Sequence, residues 1–204
     1  LKRNELINNI KTDLVEKIGL EASQVRLTGL LVLYNNVLES LFRSQILTIG
    51  VVFLAIMAMF LILFRSLKIA FVAILPSMLA SGSVLGLMGW LGIPLDVMTI
   101  TIAAICIGIG VDHSIHYIHR FRSEINQQAS AKIAIERSHA STGKAIFYTS
   151  IIIIFGFSIL GLSNFIPTIY FGIFTAFAML IALIANLTLL PLLLLGINSG
   201  KIKT

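Results

Sequence analysis

Charge is what this sequence has least of. Asp, Glu, Lys and Arg make up 12% of its 204 residues, against roughly 25% in a soluble domain. The shortage is concentrated: residues 45–64, 69–91, 145–163 and 168–199 carry no charged side chain. A bilayer core is crossed by about 20 apolar residues of helix, each rising about 1.5 Å. Each run meets or nearly meets that length, which excludes a soluble globular protein and a disordered one. None of the runs lies at the N-terminus with a short apolar core, so none is a cleavable signal peptide. Cysteine is nearly absent too. Cys106 stands alone, which excludes an internal disulfide and a cysteine-based zinc cluster. Nucleophile–base pairs, phosphate loops and nucleotide motifs are also missing, so neither an enzyme nor a cofactor is expected.

What charge there is sits in blocks. Of fifteen Lys and Arg, six lie in residues 1–43, two at 65–68, five at 120–144 and two at 201–203. The loops at 92–96 and 164–167 have none. Nucleic acid is a poor partner for that pattern, whereas basic loops flanking membrane spans mark the cytoplasmic side. The expected fold is an all-α polytopic membrane protein with helices at about 44–64, 68–91, 97–119, 145–163 and 168–195. Pro76 and Pro191 fall inside two of these, which membrane helices tolerate. Basic and basic-free loops alternate, so the C-terminus, with a short tail at 197–204, is expected in the cytoplasm and residues 1–43 outside.

Residues 1–43 read as the end of an extracytoplasmic domain, nearly neutral with six basic and five acidic residues. Leu6, Ile7, Ile10, Leu14 and Ile18 recur at helical spacing, with Gly19 as C-cap. Residues 24–27 suit a short strand, Thr28 and Gly29 a turn, and a helix starts at Leu30. Segment 120–144 suits a cytoplasmic amphipathic helix. Ile125, Ala129, Ile133 and Ala134 would lie on the bilayer while Arg122, Lys132 and Arg137 face lipid phosphates. A solvated connector fits the same charges. The chain begins with Leu1 rather than Met and reads as a piece of a longer protein.

The chemistry is concentrated at Asp112. The fifteen residues before it are all apolar or small, and it lies eight residues before Arg120, about 12 Å deeper along a helix axis. That depth is within the cytoplasmic leaflet. A carboxylate at a helix centre costs about 2.5–3.5 kcal/mol on insertion scales, which makes function the default reading of an intramembrane acid. Desolvation penalises the charged form of a carboxylate, so an acid at this depth is placed to take up and release a proton. The bland alternative is an Asp that only bonds a neighbouring helix.

Ala104 and Gly108 precede Asp112 at intervals of four and clear its face for another helix. His116 and His119 continue the stripe toward the cytoplasm, a candidate proton path, although a solvated interfacial histidine explains His119 equally well. His113 points about 100° away from Asp112, one residue's turn of a helix. The histidines fall three apart and drift around the helix, and too few other ligands exist for a metal centre. Thr149, Ser150 and Asn186 are polar groups at membrane depth that can bond Asp112 or a carbonyl of their own helix. Gly82 and Gly86 form a GxxxG packing face.

The string at residues 108–122, from Gly-Ile-Gly-Val-Asp-His to His-Arg-Phe-Arg, resembles the fourth or tenth membrane helix of the resistance–nodulation–division superfamily. It is most similar to the MMPL and hydrophobe-exporter branch, with sterol-sensing domains as more distant relatives. Flanking pieces fit the same layout: Thr28 and Gly29, Phe64-Arg65-Ser66, Leu75-Pro76-Ser77, Gly92 to Asp96, Gly143-Lys144-Ala145, Gly156-Phe157 and Leu190-Pro191. The resemblance runs from about residue 24 to 196. It implies the last five helices of one half of a two-half transporter, in a bacterial cytoplasmic (inner) membrane. The implied function is export of hydrophobic or amphiphilic, lipid-like molecules driven by proton flux, with Asp112 as the proton carrier. Implied partners are membrane lipid, the substrate, the other half and further copies of the chain. Many MMPL members have Tyr where this chain has His113. Two other readings fit the helix layout: a lipid-sensing module that does not pump, and a protein-export accessory subunit.

Overall fold

The computed structural model describes residues 2–19, 21, 29–93 and 97–199. The strand expected at 24–27, Thr28, the loop residues 94–96 and the last five residues lie outside them. The chain divides into two units, Leu1–Thr48 and Ile49–Thr204. The first holds α1 (Lys2–Glu16) and the start of α2 (Leu30–Phe64). Helix α1 closes with Lys17 N–H donating to the Asp13 carbonyl at 2.9 Å. Gly19 then takes φ +75°, the left-handed region open to glycine, where an expected C-cap would turn the chain. Helix α2 passes without a break through residues 43 and 44, where the sequence places a domain boundary.

The second unit is a bundle of the end of α2 with α3 (Leu67–Trp90), α4 (Val97–Asn126), α5 (Ala131–Ser138), α6 (Lys144–Ile159), α7 (Ile166–Leu187) and α8 (Leu189–Ser199). Among the described residues, five stretches are long and apolar enough to cross a membrane: Leu47–Phe64, Leu67–Trp90, Thr101–Asn126, Ala131–Leu162 and Ile166–Ile197. No strand occurs among the described residues. Helices α4 and α7 form the centre, with α3 packed on both and α6 on α7.

Water drives apolar faces together, but lipid tails do not, so membrane helices associate where small residues let backbones approach. Two glycines do this. A Cβ on Gly110 would sit 2.6 Å from Ser77 Oγ and 3.3 Å from Ser77 Cβ, so α4 rests directly on α3. A Cβ on Gly172 would meet Leu160 Cβ and the Phe157 carbonyl, each at 2.6 Å. Gly110→Ala should therefore cost about 1–3 kcal/mol by overpacking. Ser77→Gly should recover most of that loss, because it removes both atoms in the way. Thermal unfolding of the single and double variants in detergent checks the pair; equal melting of wild type and Gly110→Ala would refute the contact.

Several elements differ from the sequence reading. Helix α4 continues through Arg120 to Asn126, two turns beyond the expected end at 119. Segment 120–144 is thus not one amphipathic helix. It is the end of α4, a turn with Gln128 at φ +63°, α5, a π-helical turn at His139–Gly143 and the first residue of α6. Part of its apolar side serves the protein's own core: Ala134 is fully buried, and Ile125 and Ala129 pack against the same cluster, while Ile133 stays exposed. Glu124 explains the fixation. Its buried carboxylate takes Arg120 at 2.6 Å and Arg137 at 3.1 Å, which ties α5 to α4.

The fifth expected helix, 168–195, is two helices meeting at Thr188. Pro191 has no N–H for the Leu187 carbonyl four residues back, and its ring crowds that oxygen. The freed carbonyl accepts a bond from His139 Nε2 at 3.0 Å.

Candidate functional site

Helix α4 presents one uncovered face. Ala104, Gly108, Asp112, His116 and His119 all lie on it and are exposed. The spacing of the small residues does what the sequence suggests, clearing a lane in front of the acid, but no helix of this chain fills that lane among the described residues. The Asp112 side chain is 65% exposed and that of His116 67%. His116 Nε2 stands 3.5 Å from Asp112 Oδ1, one helical turn away. A protonated His116 would form an ion pair there, and a neutral one can receive or give a single hydrogen.

The acid also edges a groove of about 880 Å³ between α4 and the α6 side of the bundle. Gly108, Asp112, His116 and Arg120 line one wall, and Thr142, Ala145 and Thr149 line the other. His113 lines the same groove but is buried at 5% exposure. Its Nδ1 has no hydrogen-bond partner among the described residues. Asp112 and His113 therefore stand side by side with different surroundings, one on the open lane and one within the bundle.

The three polar groups offered as partners of Asp112 bond elsewhere or not at all. Thr149 Oγ1 donates to the Ala145 carbonyl at 2.9 Å, within its own helix, and shares only the groove with Asp112. Asn186 is fully buried; its Oδ1 accepts from Ser114 Oγ at 2.9 Å and its Nδ2 donates to the Ala182 carbonyl at 2.9 Å. This pair links α4 to α7. Ser150 is fully buried and its Oγ has no partner among the described residues. His119 lies further along the stripe, beside Arg122 in a separate pocket. Gly82 and Gly86 are exposed with open space in front of them, so none of the described residues packs on that glycine pair.

One arrangement has no counterpart in the sequence reading. Tyr117 Oη lies 2.6 Å from His139 Nδ1, and His139 Nε2 lies 3.0 Å from the Leu187 carbonyl. A carbonyl only accepts, so Nε2 carries the hydrogen and Nδ1 accepts from the Tyr117 hydroxyl. The imidazole thus joins α4, the π-turn before α6 and the end of α7. Pro191 was the one local signal, since it marks the carbonyl left free. Nothing in spacing pairs residues 117 and 139.

This geometry, an all-helical bundle with an acid on an open small-residue face of its central helix, defines an integral membrane protein of polytopic α type. The family model described as "MMPL family" matches residues 2–200. The chain belongs to the MMPL family. It is 31% identical over 156 residues to a membrane protein of Methanocaldococcus jannaschii, covering 76% of this chain and 40% of that one. It is 31% identical over 165 residues to the membrane protein YdgH of Bacillus subtilis, covering 78% and 18%. It is 24% identical over 184 residues to the apo-petrobactin exporter of Bacillus anthracis, covering 88% and 25%. The chain therefore spans less than half the length of each of these relatives.

Proposed function

We propose that this chain is part of a proton-driven exporter of hydrophobic or amphiphilic molecules in the cytoplasmic membrane, with Asp112 as the proton carrier. One observation carries the reading: the acid stands on a face of α4 cleared by Ala104 and Gly108 and shared with His116. A group meant only to hold two helices of this chain together would be covered by one of them. An open lane suits a partner helix that moves against it, supplied by the other half of the transporter or by a further copy. MMPL membership and the name of the Bacillus anthracis relative support export. The chemistry requires no cofactor. His116 and His119 lead from Asp112 toward the basic end of α4. His113, which faces the groove, is the candidate for a second proton site.

The direct test is efflux by the full-length protein in vesicles, with the proton gradient imposed and then collapsed. Transport that continues unchanged after collapse would reject proton coupling in favour of a different energy source, whereas no transport under either condition would favour the lipid-sensing reading. Orientation has its own check. We expect residues 1–43 outside and α5 in the cytoplasm, following the positive-inside rule. A cysteine placed by Lys132→Cys should react with an impermeant thiol reagent only from the cytoplasmic face. Labelling from outside would invert the topology.

A further inference from the structure

We propose that a pocket at the basic end of α4 binds a phosphate oxyanion, presented as the headgroup of an anionic lipid. The pocket, about 430 Å³, lies between the end of α2 and the last turns of α4. That volume falls in the range of small-ligand sites, about 300–1,000 Å³. Leu63 and Phe64 form its apolar side. His119, Arg122, Ser123 and Asn126 form its polar side, and no carboxylate of the described residues lines it.

Arg122 is the centre of the argument. Its Nη1 donates to the Phe64 carbonyl at 3.0 Å, and its guanidinium carbon stands 5.9 Å from the centre of the Phe64 ring. The head is held in place by these contacts, yet the bond uses one of five donors. Its neighbours on either side differ. Arg120 shares the buried carboxylate of Glu124 with Arg137, so those two charges are compensated inside the fold. Arg122 makes no ion pair among the described residues. A fixed, uncompensated guanidinium is suited to two oxygens of one phosphate, which its planar fork matches. Ser123 and Asn126 supply further hydrogen-bonding groups at the same pocket.

Position selects the lipid over a soluble anion. The pocket lies where the apolar stretch of α2 ends, and Arg65 and Lys68 follow in the next turn. On the orientation proposed above, this end of α4 faces the cytoplasm; basic pockets between helices at this level meet headgroups, and the cytoplasmic leaflet is the one rich in anionic lipid. Beyond the pocket, Met59, Ile62 and Leu63 are exposed on α2 and offer an apolar track for an acyl chain. The pocket shares His119 with the proposed proton path, but its anion-binding Arg122 is separate from the proton carrier Asp112. Arg122 is ten residues beyond Asp112, about 15 Å along the helix, so loss of lipid binding and loss of proton coupling are separable.

The test is native mass spectrometry of the full-length protein equilibrated with equimolar phosphatidylglycerol and phosphatidylcholine. Wild type should retain phosphatidylglycerol preferentially. Arg122→Gln should reduce that preference about tenfold, the scale of one charge-assisted hydrogen bond. Ser123→Leu, which fills the pocket and leaves Arg122 in place, should reduce it similarly. Lys132→Gln removes an equal charge outside the pocket and should leave the preference intact. Equal retention by wild type and Arg122→Gln overturns the proposal, as does equal loss in Lys132→Gln. A parallel arm adds millimolar inorganic phosphate. If phosphate alone stabilises wild type through Arg122 and no lipid preference exists, the ligand is soluble and the lipid assignment fails.

Discussion

Asp112→Asn in the full-length protein should abolish gradient-driven efflux while leaving folding and membrane insertion intact. The amide keeps the size and shape of the carboxyl group, with one oxygen that accepts and an NH2 that donates in place of the second oxygen, but it cannot exchange a proton. The structure makes this substitution a clean probe. Asp112 is on the open lane, with His116 at 3.5 Å as its ion-pair partner among the described residues, so the packing of the bundle does not depend on its charge. Melting temperature and expression should match wild type. Asp112→Glu should keep part of the activity, since the acid survives on a longer stem that the neighbouring Gly108 leaves room for. If Asp112→Asn retains full efflux that still responds to the gradient, the proton carrier lies elsewhere. If it retains full lipid binding in a protein that never pumps, the sensing reading gains, because a neutral amide serves a helix–helix hydrogen bond as well as an acid does.

The largest structural effect is expected at Gly172. A Cβ there would lie 2.6 Å from Leu160 Cβ, 2.6 Å from the Phe157 carbonyl and 3.3 Å from the Gly161 nitrogen. Two of these three are backbone atoms, which cannot rotate aside as a side-chain tip can. Gly172→Val must therefore push α7 away from the end of α6. The loss is expected at about 3 kcal/mol, the upper part of the usual overpacking range, or above it. Gly156→Ala is the control. It sits on α6 with nothing within 4 Å of the added methyl, and alanine is favoured over glycine in a helix interior by about 1 kcal/mol. Thermal unfolding should show Gly172→Val strongly lowered and Gly156→Ala unchanged or raised. Unchanged melting of Gly172→Val would mean that α6 and α7 do not meet as described.

The parts legible in the sequence are those that depend on one stretch of chain at a time. Membrane helices follow from runs of uncharged residues. The face shared by Ala104, Gly108, Asp112 and His116 follows from the periodicity of a single helix. The lateral surroundings of that face do not. Depth in a bilayer is set by the apolar run around Asp112, but whether another helix covers it is set by what packs alongside, and here the lane is open. The same limit applies to Asn186. Its burial was foreseeable from its apolar neighbours, whereas its choice of Ser114 over Asp112 depends on the relative rotation of α4 and α7. The break of segment 120–144 into two helices was hidden for a related reason. Its charges read as one lipid-facing helix, but Glu124 draws Arg120 and Arg137 together and brings Ala134 into the core. Pro191 announced a break in the last helix. That His139 would take up the released carbonyl required a partner 48 residues away.

The bond between Tyr117 and His139 has a mechanical consequence. Tyr117 is five residues from Asp112 on the same helix, so any twist of α4 that re-aims the acid also swings the phenol. The phenol reaches outward from the axis like the arm of a crank, and its tip travels further than the backbone that carries it. At 2.6 Å the bond to His139 has little slack. Small twists of α4 are therefore resisted here, as they are at the Ser114–Asn186 bond between α4 and α7.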